Sequence, residues 1–185
     1  LKANEFDWCE LEGFTVDALS QVSQEKYKET VNQELKLLFT RGATVCVKDP
    51  RMCLLLPLWK KYFSYKTVVV TIFRHPVEVA QSLQKRNGFT LEKGLALWEG
   101  YVTAQLASVK GFANFSLLHA DLLQQPSQVA QRLAQFLSKH SVGIHKASDH
   151  EVNDFICAKL YRNRDQSIAT LSRSQAALWQ ACQAL

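Results

Sequence analysis

The sequence predicts an α/β fold, a parallel sheet flanked by helices. Three observations carry that reading. Short β-branched runs near 44–48, 67–73 and 115–119 alternate with segments whose apolar residues recur every three or four positions. The run Thr67–Phe73 is apolar on both faces, as a buried parallel strand should be. That run passes straight into Arg74-His75-Pro76, the corner at which a strand hands over to a helix.

Taken in order, residues 1–14 are irregular, with Phe6, Trp8 and Phe14 as anchors. From Ser20 to Arg41, Val31, Leu35 and Leu38 recur at helical spacing, and Gly42 is the stop. Thr44–Lys48 is a short strand ended by Asp49-Pro50, and Leu54–Tyr65 is a short helix. After Thr67–Phe73 a helix begins at Pro76 and runs to about Arg86, where Asn87-Gly88 breaks it. Leu91, Leu95, Trp98, Val102, Leu106 and Val109 form the apolar stripe of a long helix. Phe115–His119 is the third strand. Gln128–Lys139 is helical with Val129, Leu133 and Phe136 inward, Ser141–His150 is a loop, and the last helix covers Ser172–Ala184. Strands alternating with helices imply right-handed crossovers. Three strands is a thin sheet for 185 residues, a length that suits one domain, 1–185.

Bulk composition narrows the function classes. A net charge of +5 suits an anionic ligand but is too small, and its basic residues too scattered, to point to nucleic acid. No stretch approaches the ~20 apolar residues that span a bilayer, so no membrane partner is expected. Five cysteines, Cys9, Cys46, Cys53, Cys157 and Cys182, show no Cys-x-x-Cys spacing; two lie in apolar runs and read as small buried hydrophobes. A reducing, cytoplasmic setting is the expectation. The dispersed histidines give no zinc ligand set, and no metal is expected. Neither a dinucleotide or P-loop glycine motif nor a Gly-x-Ser-x-Gly elbow occurs.

In open α/β sheets ligands bind beyond the carboxyl ends of the strands. Arg74 lies at such an end, and the helix starting at Pro76 points its first N–H groups the same way. Guanidinium plus helix N-terminus makes an anion site. Ser82, on the second turn, adds a hydroxyl if the chain ahead of it folds back. His75 reads first as a helix-start histidine satisfied by backbone. For Arg74 the anion reading ranks above a surface ion pair, because the run before it is so apolar. The stretch "VCVKDPRMCLLLPLW" also follows a predicted strand end, so Lys48 and Arg51 are expected to share the crevice with Arg74. The competing reading pairs Asp49 with Lys48 or Arg51.

"VKDPRMCLLLPLW" followed by "FRHPVEVAQSLQKRNGFTLEKGLALWEGY" resembles the sulfotransferases that use 3′-phosphoadenosine 5′-phosphosulfate (PAPS), the bacterial branch above all. The family's 3′-phosphate segment is matched by Arg74, Pro76, Ala80, Ser82, Leu83 and Arg86. "FSLLHADLLQQP" is similar to its strand, acidic turn and proline, with Asp121 and Pro126 in place. The resemblance runs from about Thr44 to Leu137 and implies a P-loop-like sulfotransferase fold. It implies that Arg74 and Ser82 hold the nucleotide 3′-phosphate, and that Lys48 faces the sulfuryl group and stabilises the bridging oxygen. A late basic segment, with Lys159, Arg162 and Arg164, would close over the nucleotide, and a solvated basic turn explains it equally well.

The resemblance stops at two points. The family opens with a strand and a loop of the form Gly-x-Pro-Arg-Ser-Gly-Thr around the 5′-phosphosulfate, and none is present here. Cytosolic members have Lys-x-His where this chain has Lys48, Asp49 and Pro50; the bacterial branch shares Asp-Pro. The first gap implies an N-terminally truncated domain: a piece cut upstream, a natural truncated relative, or a chain whose strand comes from elsewhere. Sulfuryl transfer by the chain alone is then expected to be negligible. The open sheet edge implies a homodimer, or replacement of the strand by residues 1–14. A non-catalytic domain for nucleotide binding or assembly is the alternative.

Overall fold

The computed structural model describes residues 7–11, 14–40, 42, 44–63, 65–156 and 171–185. Among them run helices α1 (Gln21–Phe39), α2 (Met52–Tyr62), strand β1 (Val68–Phe73), α3 (Pro76–Asn87), α4 (Leu91–Ser108), β2 (Ala113–Leu118), α5 (His119–Gln124), α6 (Pro126–Lys139), α7 (Asp149–Phe155) and α8 (Arg173–Gln183). A short 3-10 turn, Val16–Ala18, precedes α1. The architecture is mixed α/β, with a small two-stranded parallel sheet flanked by helices.

β1 and β2 pair in parallel over their whole length, from Val68 opposite Ala113 to Phe73 opposite Leu118. On one face Val69 and Phe73 join apolar clusters, and Thr71, 3% exposed, shares a hydroxyl contact of 2.9 Å with Ser116. On the other face Phe115 packs against Phe136 of α6 at 5.5 Å, while Val70 and Ile72 stay 41% and 49% exposed. The helical layer therefore covers one face of β1 and leaves the other open.

Local chemistry sets the boundaries of the crossover between the strands. Pro76 occupies the first position of α3, and Gly88 ends that helix in the left-handed region at φ 70°. Thr90 then caps α4, its hydroxyl accepting from the Lys93 amide. α3 and α4 pack so closely that a Cβ at Gly94 would lie 2.7 Å from the Ala80 Cα. The core is built by Phe73, Trp98, Val102 and Cys182 beside Val77, Ala80 and Leu95. A separate cluster, Leu35, Leu56, Trp59 and Phe63, ties α1 and α2 to the amino end of β1.

Three expectations are corrected. Residues 44–48 form no strand; Cys46, Val47 and Lys48 are exposed, and only Val45 reaches a core cluster. Their β-branched character expresses a local preference, and no neighbouring strand realises it. Among the described residues the sheet therefore has two strands. Residues 7–11 do not replace a strand. Tyr101 of α4 donates to the Trp8 carbonyl at 2.9 Å, and Trp8 lies 5.9 Å from Phe89, so this segment rests on α4 and the connection from α3. α5 falls in the expected acidic turn, and α7 begins at the end of a segment read as loop. Phe6 and Cys157 lie outside the described residues.

Gly94→Ala should destabilise the protein. Overpacking costs about 1–3 kcal/mol, of which replacing a helical glycine returns up to about 1 kcal/mol. Urea unfolding measures the net loss; a variant as stable as the parent contradicts the close contact of α3 and α4.

Candidate functional site

The carboxyl ends of both strands open on one corner. Arg74 follows β1, and His119 follows β2 as the first residue of α5. Because Phe73 and Leu118 are in register, these two residues leave the sheet side by side. They line a small cavity of about 10 Å³ together with His75, Glu78 and Trp179. That space is about one water molecule in size, so a phosphate can meet Arg74 only from the mouth.

Arg74 is anchored at both its ends. Its carbonyl accepts from the Trp98 indole N–H at 3.1 Å. Its Nε donates to Glu78 Oε2 at 2.9 Å, across one turn of α3. The Glu78 side chain is 2% exposed and that of Arg74 is 28% exposed. This is a half-buried ion pair rather than the surface pair the sequence suggested as a competitor. The guanidinium is thus held through its Nε, while the side chain stays 28% exposed to solvent.

His75 is the N-cap residue of α3; it is 5% exposed and meets Trp179 edge-on at 5.2 Å. Pro76, Val77 and Glu78 are all buried, so the start of α3 is packed beneath the surface. The Arg74 guanidinium is therefore a more accessible donor at this corner than the first amides of α3. Ser82 is half-buried on the second turn, four residues beyond Glu78 and on the same helix face. No hydrogen bond among the described residues joins it to Arg74.

Burial depresses the His119 pKa below the usual imidazole value; Arg74 lowers it further, and Glu78 opposes both. His119 is the site residue absent from the expected set: the sequence predicts it as the last residue of a strand, and it opens α5. The signal lay in its position, at the carboxyl end of a strand in a parallel sheet. Glu78 was legible as well, four residues after Arg74 at the start of a helix.

Lys48 and Arg51 do not line the Arg74 cavity. Arg51 is held by Asp49, through Nε–Oδ1 at 2.9 Å and Nη2–Oδ2 at 2.6 Å. The hydrogen bonds from Arg51 hold the Asp49 carboxyl down at about 2. Asp49 therefore helps the fold above the ordinary carboxylate range, and that help fades as pH falls through about 2. The pairing of Asp49 with Arg51 was the competing reading, and here it prevails over a shared crevice of three cations. Lys48 stands exposed just before this turn. Arg162 and Arg164, with Lys159, lie outside the described residues. Among the described residues no group of three His, Cys, Asp or Glu could hold a metal ion, and no helix is long and apolar enough to cross a membrane. Cys9, Cys46, Cys53 and Cys182 are free thiols. Burial raises Cys53 and Cys182 to about 11, which disfavours the reactive thiolate.

Compared with family models, with curated proteins and with solved structures, the chain matches none.

Arg74→Gln should destabilise the fold by about 3 kcal/mol, because it takes the guanidinium away from a buried carboxylate. Arg74→Gln/Glu78→Gln should recover most of that loss. Chemical denaturation of both variants measures the difference; equal stability of the two would show that the pair does not hold the corner.

Proposed function

We propose that this chain is a sulfotransferase-like domain whose corner at Arg74 takes the 3′-phosphate of PAPS. The observation that carries the reading is the Arg74 guanidinium, held by Glu78 at the carboxyl end of β1 and lining a cavity shared with His119 at the end of the parallel strand β2. Together with the segment Arg74, Pro76, Ala80, Ser82, Leu83 and Arg86, it supports a phosphate rather than a carboxylate as guest. Ser82 would donate its hydroxyl to the same group. The bound nucleotide would carry the sulfuryl group to be transferred.

In such a transfer an acceptor oxygen forms a bond to sulfur while the bond from sulfur to the 5′-phosphate oxygen breaks. Negative charge gathers on that leaving oxygen, and a positioned cation lowers the barrier. Lys48 is the residue proposed for that role: it is exposed and it leads into α2. Arg51 is a weaker contributor because Asp49 already occupies its fork.

A second reading, nucleotide binding or assembly without transfer, draws on two observations. The sequence contains no Gly-x-Pro-Arg-Ser-Gly-Thr loop for the 5′-phosphosulfate. Among the described residues the two-stranded sheet has an unpaired edge on each strand, and such an edge suits a second copy of the chain.

Calorimetric titration with adenosine 3′,5′-bisphosphate tests the shared core of both readings. The wild-type chain should bind it. Ser82→Ala should weaken binding about fivefold, the scale of one hydroxyl hydrogen bond. Arg74→Gln/Glu78→Gln should weaken it by about 10- to 150-fold, the scale of a charged arginine contact. Glu78→Gln alone keeps the guanidinium and should bind at least as well as the parent. Equal affinity in the parent and the double variant would sink the proposal. A radiolabelled-sulfate transfer assay then separates the two readings, with negligible turnover favouring the second.

A further inference from the structure

β2 brings a second titratable side chain to the Arg74 corner. His119 is half-buried and lines the cavity with two charged side chains, Arg74 and Glu78. The end of β1 contributes Arg74, α3 contributes Glu78, and the N-cap of α3 contributes His75. α8 contributes Trp179, which carries no charge, and His119's own helix carries Asp121. A histidine in that position is sensitive to whatever neutralises Arg74.

We propose that His119 is the second cation of the anion subsite, taking up one proton when a sulfate or phosphate group binds at Arg74. The proposal rests on the anion-binding reading of Arg74 given above. In the free protein, burial and the Arg74 charge both disfavour the imidazolium. An arriving anion offsets the Arg74 charge and offers an acceptor to a second N–H, and its own negative charge outweighs the burial that disfavours the imidazolium. The proton comes from solvent, and no covalent bond forms or breaks. His119 suits this role better than His75, which is 5% exposed and set edge-on against Trp179.

The sign follows from linkage. The anion raises the His119 pKa from a depressed value, so affinity is greatest below the free-state pKa. It falls as pH rises through the two values and is lowest above the bound-state pKa. A rise of about one pKa unit corresponds to about a tenfold change in affinity. Anion affinity at this corner is thereby tied to the pH range in which histidine titrates.

Inorganic sulfate is the probe, because its own charge does not change across the range in which histidine titrates. Titration calorimetry of the 185-residue chain, in buffers of differing ionisation heat, reads affinity and proton uptake together. Sulfate should bind more tightly at about pH 6 than at about pH 8, by up to about tenfold, and proton uptake should peak at about half a proton between the two pKa values. His119→Gln should flatten the profile. Because proton uptake is read on the wild-type chain, the test stands even where that variant fails to fold. Sulfate binding with no pH dependence and no proton uptake overturns the role of His119 and leaves the anion site standing. Absence of both sulfate and nucleotide binding at every pH overturns the site and His119 together. A profile that survives His119→Gln but vanishes in His75→Gln assigns the proton to His75 and overturns the proposal.

Discussion

The register between β1 and β2 is the constraint on which the rest of the corner depends. With Phe73 opposite Leu118, the two strands stop level, and the residues that follow them emerge together. A parallel pair cannot be closed by a tight turn, so the chain must cross over the sheet before β2. α3 and α4 make that crossover, and their contact at Gly94 and Ala80 keeps it close. The crossover also fixes the corner it creates. Trp98 of α4 donates to the Arg74 carbonyl, and Glu78 of α3 holds the Arg74 side chain. Sheet pairing, helix packing and side-chain orientation are therefore one connected arrangement.

That arrangement places a buried carboxylate beside a site read as anion-binding. Glu78 repels an arriving phosphate, yet it is also what aims the guanidinium. The conflict is eased by geometry: Nε is the atom that donates to Glu78, and the Arg74 side chain keeps 28% of its surface exposed. A half-buried ion pair adds little net stability compared with an apolar pair, but losing one partner is costly. Arg74 thus has a folding role and a binding role, and only variants that also change Glu78 separate them.

Local chemistry explains which parts were legible in the sequence. β1, α3 and α4 were clear because each has a strong period and a terminator in the sequence itself: Pro76 at one helix start, Gly88 at its end, Thr90 at the next start. Residues 44–48 failed because a β-branched run becomes a strand only when another strand pairs with it. α5 and α7 were missed because six or seven residues hold too few turns for a period to show. Even so, the capping box of Ser148 and Glu151 was present in the sequence. Arg74 was legible as a strand-end cation. The role of His119 was not, because it follows from the pairing of two segments separated by a two-helix crossover. The fate of Arg51 turned on a contact two residues away, which the sequence raised but could not rank against the crevice.

The central claim is that Arg74 and His119, brought together by the parallel pair, receive one anionic group. A crystal structure of the chain with adenosine 3′,5′-bisphosphate tests it most directly. The account predicts the 3′-phosphate within hydrogen-bond distance of the Arg74 guanidinium, with His119 beside it and β1 and β2 still in register. A nucleotide bound elsewhere, with no phosphate at Arg74, would contradict it.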